Sequence, residues 1–361
     1  MSHPSSRSNT CKVPPSEASV SASVTRPLSS RSTGSVTLDD VAKLAGVSPI
    51  TVSRVLNQPQ LVAADTAEKV HRAISRTGYV PNLLAGGLAS RRSKLIAVII
   101  PSIINPVYAE TMRILIDRLG ESGYQVLLGE SGFTTKSEEK LILAILSRRP
   151  DAIFLTGTVH SSESRRRLLN ARIPVIETWD ITPTPLDVVI GFSHEKVGQA
   201  VAEYFIGKGF RGIGIVSATD QRAQVRQREF LSTLAGKGIM QVPTAVVPAP
   251  PNIKLGRLGL TQLLEAGFDS GAIFCSSDTL AHGVLTEALS RGLSIPDDLA
   301  VMGFGDQSFA AHTFPALSTV RIDRAEIGSR AAEAIIARIE GKTDIEKIID
   351  VGFQVLERET T

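Results

Sequence analysis

The chain has 361 residues, 42% of them hydrophobic and 21% charged, an ordinary globular composition long enough for two or three domains. A formal net charge of +3 excludes a global basic field, so any nucleic-acid binding must draw on a local excess of cations. Two distant cysteines, Cys11 and Cys275, exclude a disulfide framework and CxxC zinc spacing, which suits a reducing cytoplasm, and no apolar run approaches the roughly 20 residues that span a bilayer.

Residues 1–35 are Ser-rich, contain Arg and are poor in acids. They lack the apolar core of a secretory signal and the amphipathic stripe of a transit peptide, so a disordered extension is expected. Order is expected from Val36. Thr37 is placed to cap a first helix carrying Leu38, Val41, Ala42 and Leu44 on one side. Gly46 supplies a tight turn, and Ser48 caps a second helix with Val52, Val55 and Leu56 inward. A third helical pattern, AADTAEKVHRAISRTGY, repeats Val70, Ala73 and Ile74 and stops at Gly78, and Pro81 breaks any continuation of the helix. Residues 81–93, with NLLAGGLASRRS, form a linker of weak helical propensity.

From Lys94 strand and helix alternate. LIAVII, YQVLLG, DAIFLT, IPVIET and DVVIGF are predicted strands, and the motif recurs in GIGIVS, TAVVP, GAIFC and LAVMGF. Such βα alternation predicts doubly wound parallel sheets, and this many strands predict two similar lobes over residues 94–361. The crossings are expected near 190–200 and 318–325, the chain returning to the first lobe for EKIIDVGFQVLERE. The fold class is therefore α/β, with an all-α head over residues 36–80.

Two short helices about a glycine turn, with a third to complete a core, make a helix-turn-helix. With Val52, Val55 and Leu56 inward, the second helix leaves Pro49, Ile50, Thr51, Ser53, Arg54 and Asn57 outward or on its flanks. Arg54 can offer a bidentate fork to guanine. The hydroxyls of Ser48, Thr51 and Ser53 suit phosphate oxygens, and Thr37 at the start of the first helix joins this DNA-facing set. Residues 36–80 hold five cations (Lys43, Arg54, Lys69, Arg72, Arg76) against four acids (Asp39, Asp40, Asp65, Glu68). Phosphate affinity of one head is thus modest, and the head is expected to work as a pair on a pseudo-palindromic operator. Arg91, Arg92 and Lys94 add cations just past the linker.

The run TLDDVAKLAGVSPITVSRVLN, followed by TAEKVHRAISRTGYVPNLLAGGLAS, strongly resembles the head of the LacI/GalR (lactose-repressor) family. The resemblance continues through IAVIIPSIINPVYAETMRILIDRLGESGYQVLLGESG, CSSDTLAHGVLTEALSRGLSIPDDLAVMGFGD and PALSTVRID, covering about Val36 to Phe353. It implies a bacterial transcription regulator, a homodimer or tetramer, whose periplasmic-binding-protein-like core clamps a small effector between its lobes. It also implies a hinge that folds against the DNA minor groove, with Leu88 by position the wedge between central base steps. Gly86 and Gly87 weaken that helix, so the hinge is expected to be disordered off DNA. Pro49 and Ile50 depart from the polar residues often found at the base-reading positions. No heptad seam comes after Phe353, which favours a dimer over a tetramer.

Nothing in the body reads as a catalyst. His71, His160, His194, His282 and His312 are isolated in sequence, no G-x-S-x-G elbow or metal set is present, and the GIG before IVSAT lacks the rest of a dinucleotide fingerprint. Neither enzyme activity, cofactor nor metal is expected. A solute-binding protein is disfavoured because the chain carries a DNA-binding head. Ligands of doubly wound lobes meet the loops at strand carboxyl ends. Those loops offer Asn105, Tyr108, Ser131, Phe133, Thr156, Glu177, Trp179 and Asp180 in the first lobe, and Arg226, Ser277, Asp278 and Asp306 in the second. Trp179 is alternatively core, and Asp278 alternatively a helix cap. The resemblance places Arg226 where the family's arginine anchors the effector, Ser277 and Asp278 where an Asn-Asp contacts sugar hydroxyls, and Gly305 where many members have an acid. Loss of that acid relaxes repulsion toward an anion. The IPVIETWD…DVVIGFSHEKVGQA segment looks most like the gluconate-type regulators, whose effectors are gluconate, 6-phosphogluconate or ketogluconates. A sugar acid is therefore the expected effector; whether it acts as inducer or corepressor stays open.

Overall fold

The computed structural model describes residues 36–80 and 92–361. The Ser-rich tail and the hinge positions Gly86, Gly87, Leu88 and Arg91 lie outside the described residues. The chain divides into two compact units, Met1–Asn82 and Leu83–Thr361.

The head has three helices, α1 (Leu38–Ala45), α2 (Pro49–Asn57) and α3 (Ala64–Thr77). Thr37 and Asp40 form a reciprocal capping box at the start of α1, and Gly46, at φ 67°, ends it in the left-handed conformation a side chain disfavours. Ser48 caps α2 through the Thr51 N–H, and Pro49 takes the first helical position, where a missing N–H costs nothing. Val41, Ala42, Val52, Val55, Val70 and Ala73 make the small core. Leu44, expected inward, is instead 44% exposed. At 100° per residue it falls well off the stripe of Leu38, Val41, Ala42 and Ala45, and Ala45 takes the inward place.

The first lobe is a six-stranded parallel sheet in the order β11-β5-β4-β3-β1-β2. Its strands are β1 (Leu95–Ile100), β2 (Gln125–Glu130), β3 (Ala152–Thr156), β4 (Val175–Thr178), β5 (Val188–Gly191) and β11 (Ile348–Asp350). Its helices are α4 (Ala109–Glu121), α5 (Thr135–Leu146), α6 (Ser162–Ala171) and α11 (Arg324–Ile339). The second lobe is a four-stranded parallel sheet in the order β7-β6-β8-β9, built from β6 (Ile213–Ala218), β7 (Thr244–Val247), β8 (Gly271–Cys275) and β9 (Leu299–Met302). It carries α7 (His194–Gly207), α8 (Gln221–Gly236), α9 (Ile253–Glu265) and α10 (Asp278–Ser290). β10 (Thr319–Arg321) pairs antiparallel with β12 (Gln354–Leu356).

The chain crosses between β5 and α7, and again between β10 and α11. The expected return of all of EKIIDVGFQVLERE to the first lobe needs correction. Only β11 returns, beside β5; the chain then turns at Gly352 and crosses a third time, so that β12 joins β10. The end is fixed in the second lobe, where Val301 N–H donates to Thr360 O and Ser318 N–H to Thr360 Oγ1. One apolar cluster joins the lobes, running from Val98 and Phe154 through Trp179, Phe192 and Phe304 to Phe230 and Phe274. Among the described residues no helix is long and apolar enough to cross a membrane.

Candidate functional site

The carboxyl ends of both sheets face a common cleft, where a cavity of about 530 Å³ opens. The first lobe contributes Asn105, Val107 and Tyr108 after β1, Phe133 after β2, and Trp179 after β4. The second lobe contributes Asp220, Arg222 and Arg226 from the start of α8, Pro251 between β7 and α9, Ser276 and Ser277 before α10, and Phe304 and Gln307 after β9; His194, at the crossing, completes the wall. A neighbouring cavity of about 560 Å³ shares Phe133, Asp220 and Arg222 and includes Thr156, Thr158 and Asp180.

Arg226 dominates the first cavity. Its Nη1 is 2.8 Å from His194 Nδ1, its Nη2 donates to Ser276 O at 2.8 Å, and the guanidinium lies 3.8 Å from the centre of the Phe304 ring. Its Nε has no hydrogen-bond partner among the described residues. Burial pulls its pKa down to about 10, which still leaves it charged at neutral pH. Burial, and then the charges of Arg226 and Arg222, hold His194 well below the ordinary histidine value. Since a guanidinium only donates and the Trp179 carbonyl, 2.9 Å from Nε2, only accepts, His194 is neutral with its proton on Nε2. Arg222 reaches across the cleft to Tyr108 Oη at 2.6 Å, and its Nη1, like Trp179 Nε1, lacks a partner. Neither guanidinium has a carboxylate within ion-pair distance among the described residues, although Asp220 lines the same cavity. Trp179 sits at φ 66°, edge-on to Tyr108 with ring centres 5.1 Å apart.

Asn105, Tyr108, Phe133, Trp179, Arg226 and Ser277 thus line the first cavity, and Asp180 the second. Four expected contacts line neither cavity, and each makes contacts within the protein instead. Asp278 is fully buried and accepts from Thr319 Oγ1 and, at 2.6 Å, from the Gln307 N–H. Burial raises its carboxyl to about 6. Glu177, also fully buried, accepts from Leu186 N–H at 2.6 Å and lies 3.4 Å from His160 Nε2. Asp306 pairs with Arg321 and Arg358, each at 2.7 Å. Ser131 donates to the carbonyls of Ile100 and Gly132. In the other direction, Arg222, Asp220, His194, Phe304 and Gln307 line the cavity although sequence reasoning does not single them out. Two of them are within its reach: Asp220 and Arg222 open the helix that carries Arg226, one turn before it.

Glycine sets the position of that helix. A Cβ on Gly198 of α7 would collide with Arg226 O and approach Phe230 N to 2.9 Å. Gly198→Ala should therefore push α8 outward, cost about 1–3 kcal/mol and weaken any ligand held by Arg226. Thermal melting and ligand titration of the variant check this; unchanged values of both would refute it.

On the head, Pro49, Arg54 and Asn57 are exposed and Ile50 is 66% exposed. Ser48 Oγ and Thr51 Oγ1 are 2.9 Å apart, and the Asn57 amide donates to Ser53 O at 2.9 Å. The outward surface of α2 is mixed, with Pro49 and Ile50 exposed at its amino end and Arg54 and Asn57 exposed further along.

Residues 37–82 match the bacterial regulatory proteins of the lacI family, and residues 202–361 match a periplasmic binding protein-like domain. The chain is 36% identical over 333 residues to the HTH-type transcriptional regulator GntR of Pseudomonas aeruginosa, which covers 92% of this chain and 97% of that protein. A crystal structure of a LacI family transcriptional regulator from Silicibacter pomeroyi superposes with a TM-score of 0.85 at 33% identity, covering 90% of this chain and 99% of that one. The lac repressor dimer bound to operator and the anti-inducer ONPF shares the fold, with a TM-score of 0.77 at 24% identity over 91% of this chain and 99% of that one. This chain belongs to the LacI family: it is a DNA-binding transcriptional repressor and not an enzyme.

Proposed function

We propose that the repressor works in the cytoplasm as a homodimer, with residues 36–80 reading a pseudo-palindromic operator, residues 81–93 acting as hinge, and a sugar acid such as gluconate, 6-phosphogluconate or a ketogluconate releasing it. One observation carries the effector class: Arg226 is buried in the cleft with its charge intact and, among the described residues, no carboxylate within ion-pair distance of it. A buried charge without a counter-ion is costly. A ligand carboxylate supplies that counter-ion and also satisfies the free Nε. Gln307, Ser277, Asn105 and Asp220 are placed to meet hydroxyls, and Tyr108 and Trp179 to cover the carbon chain. The resemblance to gluconate-type repressors points the same way.

Each lobe supplies part of the wall, so a ligand favours one relative orientation of the lobes. It shifts operator affinity only by its differential affinity for the two orientations. We take the sign as induction, with closure altering the spacing of paired hinges. Calorimetry with gluconate, 2-ketogluconate and neutral glucose tests the class, and operator titration with and without the bound acid tests the sign. Glucose binding as tightly as gluconate would sink the carboxylate anchor. On the DNA side, Arg54→Ala should cost about 1–3 kcal/mol and relax specificity at one base per half-site. Equal binding of parent and variant to one operator at matched salt would contradict that.

A further inference from the structure

We infer, building on the sugar-acid proposal, that the effector is charged at one end only and carries a second, neutral sugar at the other: an unphosphorylated glycosyl aldonate. The cavity around Arg226 adjoins the one of about 560 Å³ through Phe133, Asp220 and Arg222, which line both. A ligand anchored at Arg226 can therefore run from one into the other.

The lining of the second cavity decides what extends into it. Thr156 Oγ1 is buried without a hydrogen-bond partner, as is Arg222 Nη1. Asp180 accepts from the Ile181 N–H at 2.8 Å with one oxygen, while the other meets only Thr158 Oγ1 at 3.4 Å. A carboxylate has about four acceptor sites, so Asp180 keeps capacity for ligand O–H groups. Hydroxyl donors to a carboxylate form short, charge-assisted bonds. Phe133, 39% exposed between the two cavities, offers a ring to the C–H face of a sugar. Two carboxylates, Asp180 and Asp220, stand against the one guanidinium of Arg222 there. A phosphate carried to that end would meet two like charges at close quarters, whereas a neutral polyol meets acceptors for its hydroxyls.

The test is calorimetric titration of the full-length protein with gluconate, 6-phosphogluconate and lactobionate (a galactosyl gluconate). Lactobionate should bind at least about tenfold tighter than gluconate, and 6-phosphogluconate at least about tenfold weaker. Thr158→Val should cost lactobionate about tenfold and leave gluconate within about twofold. Lactobionate no tighter than gluconate, or 6-phosphogluconate equal to it, overturns the second subsite while the sugar-acid proposal stands. Glucose as tight as gluconate overturns that proposal and this inference with it.

Discussion

Arg226→Met should abolish the ligand response while leaving the fold and operator binding in place. The guanidinium has three protein contacts, to His194, Ser276 O and the Phe304 ring, and none of them is a carboxylate. Methionine keeps the length and an attractive contact with the ring. It leaves the Ser276 carbonyl and His194 Nδ1 unpaired, at about 1–3 kcal/mol each. It also removes a desolvated charge that no carboxylate within ion-pair distance offsets, and this works in the stabilising direction. These effects oppose each other, so the melting temperature should stay close to the parent's. Ligand binding has no such compensation. The carboxylate would be desolvated against an apolar wall, a loss of roughly 2–5 kcal/mol. Gel-shift titration with and without gluconate, alongside thermal melting, separates the two. A variant that still releases operator at the parent's gluconate concentration would show that the anchor lies elsewhere. One that fails to melt cooperatively would show that Arg226 is chiefly structural.

The strands and helices were legible because each is a local pattern. The apolar runs of β1, β3, β6, β8 and β9 announce buried parallel strands, and Thr37, Gly46, Ser48 and Gly78 punctuate the head through chemistry confined to a single turn. The third crossing was not legible, since β11 and β12 are three residues each and partner with strands far back in the chain. The site divides along the same line. A strand's carboxyl end tells which side chains reach the cleft region, but not which are already engaged. Asp278 is held by Thr319, Glu177 neighbours His160, and Asp306 is held by Arg358, partners 41, 17 and 52 residues away. His194 escaped notice for the converse reason. Its role depends on meeting Arg226, 32 residues distant, and likewise the bond of Arg222 to Tyr108, 114 residues away, is not local, although its place one turn before Arg226 is.

His160→Asn should destabilise the first lobe by roughly 3–5 kcal/mol, because it strips the cation from between two carboxylates. His160 is buried, with Nδ1 2.8 Å from Glu138 Oε1 on α5 and Nε2 3.4 Å from Glu177 Oε1 on β4. The neighbouring Ser161 hydroxyl donates to Glu139, so the loop after β3 is tied to α5 twice. Burial works against the charged imidazole, but the hydrogen bonds and charges of Glu138 and Glu177 outweigh it and raise its pKa from 6.5 to about 9. A histidine whose folded pKa is raised gives its full stabilisation below the unfolded value and loses it as pH rises through the folded one. The stability difference between parent and His160→Asn should therefore be largest below pH 6.5 and shrink steadily toward pH 9. Urea melts of both proteins at several pH values across that window measure it, and taking the difference cancels the titration of groups away from the site. A difference that instead grows as pH rises through 6.5 would mean that His160 is neutral in the fold, and one that stays constant would mean that folding leaves its pKa unchanged; either outcome removes the cation between the two glutamates.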